Sequence, residues 1–254
     1  MTQNERWDRT RQYYAKWLDT DIDTMVGRGV TLLPTENRRI CPKGHDRNLD
    51  LYAVAFPDHL LVSYLPEMEK DYPLRGLTGL AAEAGLAELK RLFPGLLHRR
   101  AHWFPALTAG IDTSPAAGLA ADDYPHYLTF FLSQHPQADP DGWLEDYFHR
   151  LTANHRCYGV FAEGKLTCAT GAPDMPYMEG LVTEPGIDTL PAYRHKGYAL
   201  ASCALYLANA LARNEAPIWT CWHDNTASYR LAEKLGFQRF CDLYTIKGNV
   251  TPTS

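Results

Sequence analysis

The residues with the richest chemistry lie in the last third of the chain. Ile187-Asp-Thr-Leu-Pro-Ala-Tyr-Arg194-His-Lys-Gly197-Tyr-Ala199 reads as a strand that enters a helix through a turn bearing three adjacent basic residues, Arg194, His195 and Lys196. A helix N-terminus leaves four backbone N–H groups without partners and carries partial positive charge, so diphosphate oxygens can supply the missing acceptors. Gly197 and the small Ala199, flanking Tyr198, allow close approach to the backbone. The same pattern also fits a strand-to-helix turn whose basic rim is simply solvated.

A second segment follows some thirty residues on: Asn225-Thr-Ala-Ser228-Tyr-Arg-Leu231-Ala232-Glu-Lys-Leu235-Gly236-Phe237. Asn225 stands where an N-cap belongs, Leu231 and Leu235 form an i, i+4 apolar face, and Gly236 is a C-terminal stop. Alone, this is a capped amphipathic helix. In order with the upstream turn, it resembles the GNAT superfamily of acyl-CoA-dependent N-acetyltransferases, over roughly residues 118–247. The form of the second segment, with Trp222 just before it, is similar to a branch that includes small-molecule (antibiotic) self-resistance acetyltransferases.

The resemblance implies a C-terminal mixed, mostly antiparallel twisted sheet flanked by helices. It implies acetyl-CoA as acyl donor, with no metal, and direct transfer to the primary amine of a small molecule. In its terms the backbone of Ile187, Asp188 and Thr189 pairs with the pantetheine arm, the amides from His195 through Ala199 hold the pyrophosphate beside Arg194, and Asn225 hydrogen-bonds the arm. A backbone N–H near Thr189 stabilises the oxyanion. Many members carry a proton-donating tyrosine seven residues after the motif asparagine, where this chain has Ala232; Ser228, three residues after it, is the substitute some members use. The attacking amine must lose a proton, and Glu184 is the first choice of base because Pro185-Gly186 after it implies an irregular strand start that aims a side chain into a cleft. Glu179, Asp188 and His223 are rivals, and each of the four also reads as a solvated charge or structural contact. Two other functions stay open: acetylation of a protein N-terminus or lysine, and acyl-CoA binding without turnover.

Positioning these residues requires a set of elements legible along the chain. Periodicity predicts a helix over about 4–19, a hairpin of 51–56 and 60–64 across Pro57-Asp58-His59, and a helix over 79–93. Prolines and glycines interrupt every pattern between His102 and Gly118. Beyond them come a helix opened by Pro125 and capped by an aspartate, a helix over 143–153, and a hairpin of 157–162 and 165–170 across Glu163-Gly164. A short strand over 187–190, a helix over 197–214, a strand over 218–222 and a helix over 226–235 complete the reading. Trp219 and Trp222 should face opposite sides of their strand.

The bulk composition agrees. At roughly 150 residues per domain, 254 residues make one large or two small domains, and the motif positions favour two: an N-terminal α/β domain over 1–110 and the GNAT-like domain over 111–254. The first would wall the acceptor site or mediate a homodimer. With 45% hydrophobic residues and a net charge of −5, the chain has a core but no field to draw it onto nucleic acid or an anionic membrane. An acidic surface also suits a cationic acceptor. No long apolar run and a polar N-terminus point to a cytoplasmic protein, and its six scattered cysteines to reduced thiols. His98 and His102, at helical i, i+4 spacing, lack a third ligand, Cys41-Pro-Lys-Gly-His45 lacks a second pair, and Cys221 reads as a buried strand residue.

Overall fold

A computed structural model of the chain describes residues 1–43, 45–173, 175–178 and 180–249. Helix α1 (Gln3–Leu18) starts at a capping box, in which Glu5 N–H donates to Thr2 Oγ1 and Thr2 N–H to Glu5 Oε2, and its apolar stripe buries Tyr14 and Leu18 completely. Strand β1 (Gly29–Pro34), the antiparallel hairpin β2 (Leu49–Ala55) and β3 (His59–Tyr64), α2 (Ala82–Leu92) and β4 (Leu97–Trp103) follow. The second half runs β5 (Ala116–Gly118), α3 (Tyr124–Gln134), α4 (Leu144–Ala153), β6 (Cys157–Ala162), β7 (Lys165–Gly171), β8 (Val182–Thr183) and β9 (Gly186–Thr189). It ends with α5 (Tyr198–Ala212), β10 (Ala216–Trp222), α6 (Thr226–Leu235) and β11 (Gln238–Lys247). The β6–β7 turn has Glu163 at φ 53° and Gly164 at φ 72°, the paired positive dihedrals that a two-residue hairpin needs. Asp123, expected to cap α3, instead accepts from Ala120 N–H at 2.8 Å and closes the 3-10 turn ahead of that helix.

Two sheets result, and their strands make a mixed α/β protein with a large, mostly antiparallel sheet flanked by helices. The larger has the order β1-β3-β2-β11-β4-β10-β8, the smaller β5-β6-β7-β9. Among the described residues only β1–β3 and β8–β10 pair in parallel. The expected units 1–110 and 111–254 share the larger sheet: β11 lies between β2 and β4, and β4 between β11 and β10. Neither β4 nor β11 was foreseen. Leu97-His-Arg-Arg-Ala-His-Trp103 is too polar to announce a central strand, yet Ala101, His102 and Trp103 are buried. The expectation of helical spacing for His98 and His102 is thereby corrected, because they sit on an extended strand. His98 stacks on His223 at 4.5 Å and on Tyr244 at 4.4 Å, and burial lowers the pKa of both His98 and His102. Among the described residues no group of three His, Cys, Asp or Glu could hold a metal, and no helix is long and apolar enough to cross a membrane.

Alternation along the strands assigns the layers. Val54, Ala101, Ile218 and Leu243 face α1, while Ala53 and Tyr244 face α2, and Trp219 and Cys221 face α5 and α6. Helix α5 also lies on β6, β7 and β9, bridging the two sheets, and α3 and α4 pack on the smaller sheet through Phe130, Phe148 and Leu151.

Candidate active site

The two sheets part company at β8. There Val182 stands opposite Ala216 and Thr183 opposite Pro217 on the parallel strand β10, and the pairing ends. Pro185 has no N–H to continue a ladder, and the chain resumes as β9, which pairs with β7 from Gly186 opposite Gly171 to Thr189 opposite Cys168. β9 and β10 therefore diverge. The gap is a cleft of about 440 Å³ walled by Arg99, Met175, Tyr177, Glu184, Thr220, Trp222, Asn225 and Ser228, among others.

Glu184 occupies the fork of the splay. Its Oε1 accepts from Thr220 N–H at 2.5 Å and from Thr220 Oγ1 at 2.7 Å, taking the backbone donor that a continuing neighbour strand would have used. Both bonds fall on Oε1, which leaves Oε2 to take a proton from a ligand. Burial raises the Glu184 pKa above its ordinary 4.5, and the Thr220 bonds and the Arg99 charge only partly offset this. The carboxylate faces α1: its charge, after burial itself, raises the pKa of Tyr13 and Tyr177.

The opposite wall belongs to α6. Asn225 caps it, its Oδ1 accepting from Ser228 N–H at 3.1 Å. Ser228 Oγ accepts from Trp219 Nε1 at 3.0 Å, so the hydroxyl hydrogen remains available to donate. Trp219 is buried and Trp222 is 42% exposed, on opposite faces as expected, and the Arg99 guanidinium lies 4.5 Å from the Trp222 ring centre. Burial raises the Cys221 pKa, which keeps the thiol protonated and unsuited to attack, and all six cysteines are free. Ala232 is fully buried against Cys203 and Leu207, so this position has no room for a tyrosine aimed at the cleft.

Strand β9 is the edge of its sheet, and its outer backbone faces the splay. Ile187 packs toward α5, whereas Asp188 points to the other face, into a cavity with Tyr127, Phe131 and Tyr147, away from Glu184. His223 is exposed and stacked on His98; Glu179 lies outside the described residues. At the end of β9, Arg194 Nε donates to Thr189 O at 3.3 Å and Lys196 lies 4.7 Å from the Tyr193 ring centre. His195 has φ 63° and Gly197 φ 82°, and a Cβ on Gly197 would meet nothing within 4 Å. Among the described residues, no backbone carbonyl accepts from the amides of His195 to Leu200, and the loop is exposed. A run of free amides at the start of a 15-residue helix fits a diphosphate.

The structure thus brings Glu184, Asn225 and Ser228 into one cleft, which Gly186 at the start of β9 also walls. Arg99, Tyr177 and Thr220 were not anticipated. The cue for Thr220 was its place on the same strand as Trp219 and Trp222; Arg99 had none, because its strand went unread.

Residues 175–246 match the family model of the GNAT acetyltransferases. No protein of curated function matches the chain. Among solved structures, a GNAT-family acetyltransferase from Colwellia psychrerythraea is similar over 79% of this chain and 82% of its own, at 14% identity and a TM-score of 0.52, a likeness of fold. A putative GNAT-family acetyltransferase from Novosphingobium aromaticivorans is 23% identical over 61% of this chain, with a TM-score of 0.48; the match spans 66% of that protein, just under two thirds of its length. With two spaced motifs, splayed strands and a family match running from the cleft to β11, this segment of the chain is similar to the GNAT acetyltransferases.

Proposed function

We propose that the protein is an N-acetyltransferase that moves an acetyl group from acetyl-CoA to the primary amine of a small molecule by direct attack. The observation that carries this reading is the fork at Glu184, where a half-buried carboxylate with a raised pKa faces Asn225 and Ser228 across one cleft, beside a chain whose β9 runs on to a loop of free helix amides. The free edge of β9 at Ile187 to Thr189 suits the amide-bearing pantetheine arm, and the amides from His195 to Ala199 suit its diphosphate, with Arg194 and Lys196 nearby. When bound, acetyl-CoA supplies the thioester.

Within this frame the chain's own groups divide the proton work between two faces of β10. Glu184 Oε2, on the α1 side, takes a proton from the attacking ammonium. A pKa above the usual carboxylate range makes it a better base, and such assistance is typically worth 10²–10⁴-fold. Ser228, on the α6 side, would give the hydroxyl hydrogen it shares with the Cys221 thiol to the departing sulfur. The N-terminal half contributes to the acceptor wall, since Arg99 comes from β4. A cleft of about 440 Å³ lined by Arg99, Tyr177 and Trp222 is of a size that suits a small-molecule acceptor.

Isothermal titration with acetyl-CoA, joined to release of free thiol across a panel of small amines, tests the proposal. Binding followed by amine-dependent thiol release is expected. No binding at millimolar acetyl-CoA would overturn it, and binding without thiol release for any amine would make the protein an acyl-CoA-binding module. Acetylated peptides with no acetylated small amine would move the acceptor to protein.

A further inference from the structure

A second cavity, of about 290 Å³, adjoins the cleft, with Lys16, Trp17, Arg38, Ile40, Leu49 and Tyr177 among its walls. Tyr177 belongs to the walls of both spaces. Its ring lies 5.9 Å from Trp17 and 4.3 Å from His45, so an aromatic corner joins the Glu184 cleft to this chamber. No residue of the notional acyl-CoA path takes part.

The chamber holds an unresolved charge. Arg38 is only 7% exposed. Its Nη2 donates to the Trp17 carbonyl and its guanidinium lies 5.9 Å from the Tyr52 ring centre, but its Nε has no hydrogen-bond partner. Among the described residues no carboxylate forms an ion pair with it. Asp19, whose charge reaches it, already accepts from Thr35 Oγ1 and from Asn37 Nδ2. Burial accordingly pulls the Arg38 pKa down, although a guanidinium stays protonated at any physiological pH. A buried cation with an orphaned donor is costly unless an anion completes it, and among the described residues no acid walls this cavity.

We propose that the Arg38 chamber takes a carboxylate of the acceptor, which makes the acceptor an amine whose carbon chain also bears a carboxylate. The amine lies at Glu184, the apolar middle passes Tyr177 and Trp17, and the carboxylate meets the Arg38 guanidinium on the chamber wall. Charge-assisted bonds of this kind to guanidinium are strong and geometrically selective. The opposite charges of Glu184 and Arg38 would orient such a molecule with its amine toward the splay. This assignment rests on the proposed acyl transfer.

Equilibrium binding to the full-length protein tests it with matched pairs: γ-aminobutyrate against propylamine, ε-aminocaproate against pentylamine, and phenylalanine against phenethylamine. At least one carboxylate member should bind about tenfold or more tightly than its partner. In Arg38→Gln that preference should fall toward unity, and Arg38→Lys, which keeps the charge but loses the planar guanidinium fork, should restore part of it. No preference in any pair, or a preference that survives in folded Arg38→Gln, overturns the proposal. If Arg38→Gln does not fold, competition in the wild type decides: caproate, which has no amine, should displace the bound amino acid but not acetyl-CoA, and its failure to do so overturns the proposal. Carboxylate preference without thiol release would sink the acyl-transfer reading alone, whereas thiol release from carboxylate-free amines at equal efficiency would sink the Arg38 assignment alone.

Discussion

The larger sheet has two seams that treat the same strand in opposite ways. On one side β10 is zipped to β4 over five residue pairs from Trp222–Arg99 to Ile218–Trp103, and β4 in turn to β11. On the other side it meets β8 over two pairs, after which the next outward donor, Thr220 N–H, goes to a side chain. The closed seam joins the two halves of the chain and buries apolar residues on both faces. The open seam exposes backbone and carries the titratable groups. Where a strand leaves its neighbour, the orphaned donors need new acceptors, and here one of them is the Glu184 carboxylate to which the proposed function gives the base's part.

The sharpest way to break this contrast is Glu184→Gln. The amide oxygen can still accept from Thr220, so the splay should persist while the base is lost. Acetyl transfer should fall by roughly 10²–10⁴-fold with acetyl-CoA affinity retained, as steady-state rates and titration would register. A rate within a few-fold of wild type would leave Glu184 a merely structural acceptor.

The closed seam should fail differently. Phe240 on β11 is 5% exposed and packs against Trp7, Tyr14 and Phe56 at ring distances of 5.1, 5.1 and 5.4 Å. Phe240→Ala should cost about 3–5 kcal/mol in denaturant unfolding, with both halves melting together because they share the sheet. Two separated transitions would show that the halves are independent after all.

Ser228→Ala probes both properties at once. It leaves the Trp219 indole N–H without its acceptor, which should cost about 1–3 kcal/mol of stability. If the hydroxyl serves the departing sulfur, kcat should also fall, with KM for acetyl-CoA little changed; an unaltered kcat removes Ser228 from the proton path. Gly197→Ala, at φ 82° with open space around its Cβ, should cost about 1–2 kcal/mol of backbone strain and weaken acetyl-CoA binding by disturbing the amide cradle.

The smallest effect is in pH. A carboxylate whose folded pKa is raised contributes stability that is full below its unfolded pKa and is lost as pH rises through the folded one. Wild type should therefore lose stability relative to Glu184→Gln as pH climbs from about 4.5, the ordinary value. Over the same range kcat/KM should rise as the base deprotonates. A stability difference independent of pH would mean that Glu184 titrates normally.

How much of this was legible depended on whether a residue's role is local. Helix α6 was readable to the residue, because Asn225, the Leu231–Leu235 face and Gly236, at φ 102°, are signals within one element. The β6–β7 turn and α5 were readable for the same reason. Strands β4 and β11 were not. Their pattern is set by two sheet neighbours and two helix layers, so Arg99 and Arg100 on β4 alternate with no local periodicity and sit next to the buried Ala101.

The sequence by itself determined the chemistry of the pieces: a capped helix with Ser228 in its first turn, a glycine where φ must be positive, and a carboxylate just ahead of a proline that stops pairing. Only the tertiary structure decided that Glu184 is half-buried and hydrogen-bonded by Thr220, that Ala232 belongs to the core, that Asp188 faces away, and that Arg38 is buried without a carboxylate partner among the described residues. The physical reason is that backbone signals act over a few residues, whereas burial and charge interactions depend on segments that meet only once the sheet forms, here Tyr13 and Glu184 across more than half the chain.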